Sequence, residues 1–240
     1  MSARLQDQCV VVLGGSSGIG LATASAALAQ GAVVTITGRD RARLDAARES
    51  LGSKVRAVSL DAADEAGTQS LLSEFERIDH VFITAGALVI DAGLEPETDA
   101  LQAALNTRFW GGLYAAKYAS PRMTHGGSIT FMSGTAGRRP LAGAAVASAS
   151  CGAVDAFARA LAIDLAPVRV NTIAPGYVDT PLFDELLGDQ RDAVLATAAE
   201  SLPVKRIGRP EDIADAVLFL MTNGYVNGIS LPVDGGGLLV

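Results

Sequence analysis

Cysteine is nearly absent from this 240-residue chain: only Cys9 and Cys151 occur, and neither sits in a CxxC pair. That scarcity argues against structural disulfides and zinc sites and makes a reducing cytoplasm the expected setting. Histidine is as rare, and His80 and His125 are too scattered to suggest a metal site. Cations are outnumbered, 19 Lys and Arg against 26 Asp and Glu, so the net charge of −7 repels phosphate backbones and anionic lipid. Nucleic acid and membrane are therefore poor partners to expect. No apolar run reaches the roughly 20 residues of a membrane span. The uncharged stretch at residues 140–154 is rich in Ala, Ser and Gly and reads as a buried helix. The opening MSARLQDQ is polar and mixed in charge, unlike a signal peptide.

What the chain does contain is a core's worth of apolar residues, 49%, with no composition break, repeat or linker. One domain over residues 1–240 is the simplest organisation. Short β-branched runs at Cys9–Leu13, Val33–Thr37, Val55–Ser59, Val81–Thr84, Ser128–Met132, Val168–Ile173 and Ile229–Val233 predict seven strands. Helical patterns fall between them at Ile19–Gln30, Arg41–Leu51, Thr68–Arg77, Ala100–Pro121, Gly143–Leu165 and Pro210–Thr222. Strands apolar throughout and separated by helices indicate a parallel sheet covered on both faces, the doubly wound α/β class.

Ligands in such sheets bind at the carboxyl ends of the strands. After the first strand comes LGGSSGIGLATASAALAQG, in which Gly14, Gly18 and Gly20 let the backbone approach a pyrophosphate and seat a helix whose amides face it. The second strand ends in TITGRDRARL. An acid there would hold the ribose hydroxyls of NAD; instead Gly38 is followed by Arg39, which suits the extra phosphate of NADP. NADP is the expected cofactor.

With these motifs in view, the chain resembles the short-chain dehydrogenase/reductase family over nearly its whole length. GGSSGIG is similar to the family's glycine motif, and the resemblance puts Gly14, Ser16, Ser17, Gly18, Ile19 and Gly20 against the cofactor. SLDAAD places Asp61 near the adenine amine. FITAG resembles the asparagine-rich motif, with Ile83 and Thr84 replacing both asparagines while Ala85 and Gly86 remain. LNTRFWG places Asn106 at the helical active-site asparagine. In VRVNTIAPGYVDTPL, Pro175 and Gly176 turn the chain and Val178 and Thr180 meet the nicotinamide carboxamide. The resemblance also implies a homodimer or homotetramer, with the two long helices at its interface, and a small-molecule substrate.

In that family a Tyr-x-x-x-Lys pair and a serine handle the proton, the ammonium lowering the phenol's pKa from about 10. Here the register puts Ala147 at the tyrosine, Cys151 at the lysine and Gly134 at the serine, with Ser133 one residue away. None of Tyr114, Tyr118, Tyr177 and Tyr225 has a lysine four residues later. Tyr177 is the best placed substitute acid, or else a wall of the substrate pocket. Arg138 and Arg139 either fix a substrate carboxylate or belong to a solvated loop. Cys151 has no cation in view to activate it, and Asp155 with Arg159 reads as a helix-surface pair.

Asn106, Ser133 and Tyr177 are thus the candidate catalytic residues. Two functions stay open. One is an NADP(H)-dependent oxidoreductase acting on a small carbonyl or activated double bond with a non-standard proton donor. The other is a non-catalytic NADP-binding or partner-binding module on the same fold.

Overall fold

The computed structural model describes residues 4–86, 98–140 and 142–240. Its centre is a parallel sheet of β1 (Cys9–Leu13), β2 (Val33–Gly38), β3 (Arg56–Ser59), β4 (Ile78–Ile83), β5 (Met123–Met132), β6 (Arg169–Pro175) and β7 (Ser230–Val233). The spatial order is β3-β2-β1-β4-β5-β6-β7. The chain winds outward in one direction from β1 and in the other from β4, so a crevice opens where these two strands lie side by side. Register brings their ends level: Leu13 pairs with Thr37 on β2 and with Ile83 on β4.

Strand side chains alternate between two separate cores. Val10 and Val12 face one, with Val34, Ile36 and Phe82; Val11 and Leu13 face the other, with Ile129 and Phe131. Each fully buried phenylalanine contributes roughly 1.5–3 kcal/mol relative to exposure. The first core is covered by α1 (Gly18–Ala29), α2 (Arg41–Leu51) and α9 (Pro210–Thr222). The small residues Gly20, Ala24 and Ala27 of α1 allow α9 to approach with Ile213, Val217 and Leu220. The second core lies under α3 (Glu65–Ser73), α5 (Gly111–Ala119) and α6 (Ala145–Asp164). Asp40 and Asp64 cap α2 and α3 by accepting the amides of Arg43 and Gly67.

The doubly wound parallel sheet agrees with expectation, and several boundaries move. The third helix begins at Glu65 rather than Thr68 because Asp64 caps it. The long helix expected over Ala100–Pro121 is α4 (Thr98–Leu105), a π-helical turn (Asn106–Trp110), then α5. Two helices beyond the expected set, α7 (Pro181–Leu187) and α8 (Arg191–Ser201), lie between β6 and α9. Asp155 is not a surface partner of Arg159. It is buried and accepts a 2.7 Å hydrogen bond from the Thr172 hydroxyl, fastening α6 to β6.

Candidate active site

A cleft of about 810 Å³ runs along the carboxyl ends of the strands. Its floor begins at the glycine loop. A Cβ on Gly20 would stand 2.0 Å from the Gly14 carbonyl oxygen, so only glycine lets α1 start this close to the turn. Gly14 itself has φ of +98°, a conformation that favours glycine. The N-cap Ser17 makes no side-chain cap, and the first intrahelical donor is Leu21, to the Ser17 carbonyl. The amides of Gly18, Ile19 and Gly20 therefore have no partner within the helix and suit an anion. Thr84, which replaces an asparagine of the motif that FITAG resembles, ties the loop down by donating to the Gly14 carbonyl at 2.8 Å.

The end of β2 has the same economy of space. A Cβ on Gly38 would lie 2.7 Å from the Ser16 hydroxyl. Beyond it Arg39 is exposed on the cleft wall, as is Arg43, whose Nη1 lies 2.7 Å from Glu185 Oε1 on α7. That hydrogen bond raises the Arg43 pKa above its ordinary value. Asp61 lines the wall beyond β3 and accepts the Ala63 amide. A phosphate cradle with arginines beside the second strand fits a phosphorylated dinucleotide.

Of the residues expected to meet the cofactor, Gly14, Ser16, Ser17, Gly18, Ile19, Gly20, Arg39, Asp61, Ala85, Gly86, Pro175, Gly176, Val178 and Thr180 all line this cleft. Ser133 and Tyr177 line it too. The Ser133 hydroxyl is turned to the Cys151 carbonyl at 3.3 Å, while Tyr177 stacks on Phe183 with ring centroids 5.9 Å apart.

Asn106 is a correction. It is exposed and lies outside the cleft, because the π-helical turn, closed by the Gly111 amide donating to the Asn106 carbonyl, sends it to solvent and turns Thr107 and Arg108 inward. Cys151 is also corrected: a cation does lie beside it, since Arg108 Nη1 is 3.4 Å from its Sγ and 3.3 Å from the Ser133 carbonyl oxygen. Arg108 escaped sequence reasoning although it is a charged residue in the otherwise uncharged run NTRFWGG. Ala147 and Cys151, one helical turn apart on α6, form the wall opposite, both buried and small. Arg138 donates to the Ser230 carbonyl at 2.6 Å, and Arg139, on the cleft wall, to that of Gly237 at 2.7 Å; both brace the C-terminal segment.

A sheet whose crevice carries a phosphate cradle defines a dinucleotide-binding α/β protein. Residues 14–237 match the family model described as Enoyl-(Acyl carrier protein) reductase. The short-chain dehydrogenase/reductase ucsE of Acremonium sp is 34% identical, covering 98% of this chain and 97% of that protein. The structure of MalC Reductase/Diels-Alderase from Malbranchea aurantiaca superimposes with a TM-score of 0.92 at 30% identity, covering 99% of this chain and all of that one. A small-chain dehydrogenase solved in complex with NADPH gives 0.81 at 33% identity over 98% of this chain and all of that one. The chain belongs to the short-chain dehydrogenase/reductase family.

Proposed function

We propose that this protein is an NADP(H)-dependent oxidoreductase that reduces a small organic carbonyl or an activated double bond, using a proton donor other than a Tyr-x-x-x-Lys pair. The NADPH complex of the related dehydrogenase and the arginines at the end of β2 support NADP(H) as the cofactor. When bound, that group supplies a hydride. The chain's own residues do the rest. The amides opening α1 hold phosphate, Arg39 holds the additional phosphate, and Asp61 stands where the resemblance puts the adenine. Ala147 and Cys151 leave space for substrate on the α6 side, and Tyr177 offers a hydroxyl on the opposite loop.

The observation that carries this reading is the continuity of the cleft. It runs from Arg39 past the glycine loop to Ala147 and Tyr177, and the small side chains on α6 leave its far end open. A protein keeping its dinucleotide only as a structural ligand has no need of that space. The reading is tested by following NADPH oxidation with purified protein across enones, quinones, imines and simple ketones. Turnover with at least one conjugated substrate is expected. Thermal protection by NADPH without turnover anywhere in the panel would leave a binding module and defeat the proposal.

A further inference from the structure

Two arginines are drawn into the body of this protein, and they are treated differently. Arg169, buried at the opposite end of the sheet, is well partnered: its guanidinium donates to the carbonyls of Leu220, Met221 and Val226 at 2.6, 2.7 and 3.2 Å. Among the described residues Arg108 has only the two long contacts to the Ser133 carbonyl and the Cys151 sulfur, at 3.3 and 3.4 Å. Its Nε is buried with no hydrogen-bond partner among the described residues. Leaving a charged donor in that state is costly unless something else completes it.

No described carboxylate does so. Among the described residues four acids line the cleft, and each is engaged elsewhere. Asp40 caps α2, Asp61 takes the Ala63 amide, and Glu185 pairs with Arg43. Asp234 accepts the amides of Gly236 and Leu238. The edge of the guanidinium that no described residue occupies faces Gly86, where a Cβ would lie 3.4 Å from Nε and 3.5 Å from Nη2. The fork thus stands in the cleft beside Ser133 and Cys151, at the depth where the family's proton-transfer residues would be, with a donor edge waiting for an anion.

We propose that Arg108 is the catalytic oxyanion-binding group of this enzyme and that its substrate class is the conjugated carbonyl, an enone or quinone-like compound whose carbonyl oxygen docks on the Arg108 guanidinium. This rests on the reductase reading above. A hydride supplied by NADPH, oxidised to NADP⁺ in the step, adds to the β-carbon, and the C=C electron pair moves towards the carbonyl. An enolate results, with its negative oxygen held by Arg108. The α-carbon then takes a proton from Tyr177 or water, and the charge on the oxygen is lost. Such a substrate makes the Tyr-Lys pair dispensable, because the anion is delocalised and is met by a permanent cation rather than quenched at once by an acid. The position of Arg108, deep beside residues 133 and 151 instead of at the rim with Arg139, favours the reacting oxygen over a remote carboxylate.

The test uses para-nitrophenol, whose phenolate imitates an enolate and absorbs differently from the neutral phenol, titrated into protein saturated with NADP⁺. The wild type should bind the phenolate roughly 10- to 100-fold more tightly than Arg108→Gln, and bound nitrophenol should ionise at lower pH than free nitrophenol. Arg108→Lys, with the charge but not the fork, should fall between them. Equal phenolate affinity in wild type and Arg108→Gln, or a wild type that prefers the neutral phenol, overturns the proposal. Tighter binding of benzoate than of nitrophenolate overturns it as well, since Arg108 would then be a carboxylate anchor. If Arg108→Gln does not fold, the wild type's choice between phenol and phenolate decides by itself. NADPH thermal protection, measured alongside, separates the two readings: its absence in the wild type strikes the cofactor assignment, whereas its presence with no phenolate preference strikes only Arg108.

Discussion

Thr84 fastens the glycine loop to the sheet: its hydroxyl donates to the Gly14 carbonyl at 2.8 Å, while the Gly14 amide reaches the Thr37 hydroxyl at 3.3 Å. A residue at the end of β4 thereby sets the height of the turn that opens α1. Thr84→Val keeps the shape and deletes the donor. It should cost about 1 kcal/mol of stability in chemical denaturation and weaken NADPH in calorimetry, whereas Thr84→Ser should retain most of both.

Glycine to alanine should have opposite effects at two helical positions. In a helix interior alanine is favoured by about 1 kcal/mol. At Gly152 of α6 a Cβ meets nothing within 4 Å, so Gly152→Ala should stabilise the protein by roughly 0.5–1 kcal/mol. At Gly20 the same atom would stand 2.0 Å from the Gly14 carbonyl oxygen, which is backbone and cannot swing away. Gly20→Ala should therefore destabilise by at least ~2 kcal/mol and lose NADPH thermal protection. Urea denaturation of both variants checks the contrast.

Arg39 is exposed on the cleft wall just after Gly38, where an acid would serve NAD instead. Arg39→Ala should weaken NADPH by roughly 10- to 100-fold while leaving NADH nearly unchanged. Parallel titrations with the two nucleotides measure the ratio. A loss that is equal for both would move the phosphate contact to Arg43.

His80 gives the fold an acid-sensitive point remote from the cleft. Its ring is buried between Ser128 Oγ and Gln8 Oε1, each at 2.8 Å. Burial, and then the Arg169 charge, push its pKa down to about 4 against the opposing charge of Asp79. The folded-state pKa lies below the unfolded value of about 6.5, so the unfolded chain binds more protons between the two. Stability is full above about 6.5 and falls as pH drops towards 4, by up to about 3 kcal/mol. Carboxylates in general titrate in the lower part of that window. The difference in unfolding free energy between wild type and His80→Gln, followed across pH, isolates the histidine; a pH-independent difference would contradict the assignment.

The fold was legible because it rests on local signals. Apolar runs such as Cys9–Leu13, the glycine spacing after it and the Gly38–Arg39 pair each carry their meaning within a few residues. What escaped depends on contacts or on small changes of helical phase. The π-helical turn adds one residue to the repeat, which carries Asn106 out of the cleft and Arg108 into it, and nothing in NTRFWGG announces that shift. Asp155 looked like half of a surface pair because its spacing to Arg159 is helical, while its partner, Thr172, comes from another element. The cation beside Cys151 lies 43 positions away in sequence. Helix α7, begun by Thr180 and Pro181, is too short to show a hydrophobic period, yet it carries the Glu185 that reaches Arg43.

Tyr177 offers the sharpest separation between an acid and a wall. Its ring stacks on Phe183 at 26° between planes, so Tyr177→Phe preserves the apolar surface and removes only the hydroxyl. If that hydroxyl delivers the proton at the α-carbon, kcat should fall roughly 10²- to 10⁴-fold while NADPH affinity and substrate KM change little. The proton step should then become slower than hydride arrival. A solvent deuterium isotope effect on kcat should grow in the variant, because water must take over the delivery. Substrates whose enolates pick up protons readily from water should suffer least. A variant with unchanged kcat and isotope effect would leave Tyr177 as a stacking wall and make water the proton source in the wild type as well. In that case Arg108 alone would carry the electrostatic part of the reaction.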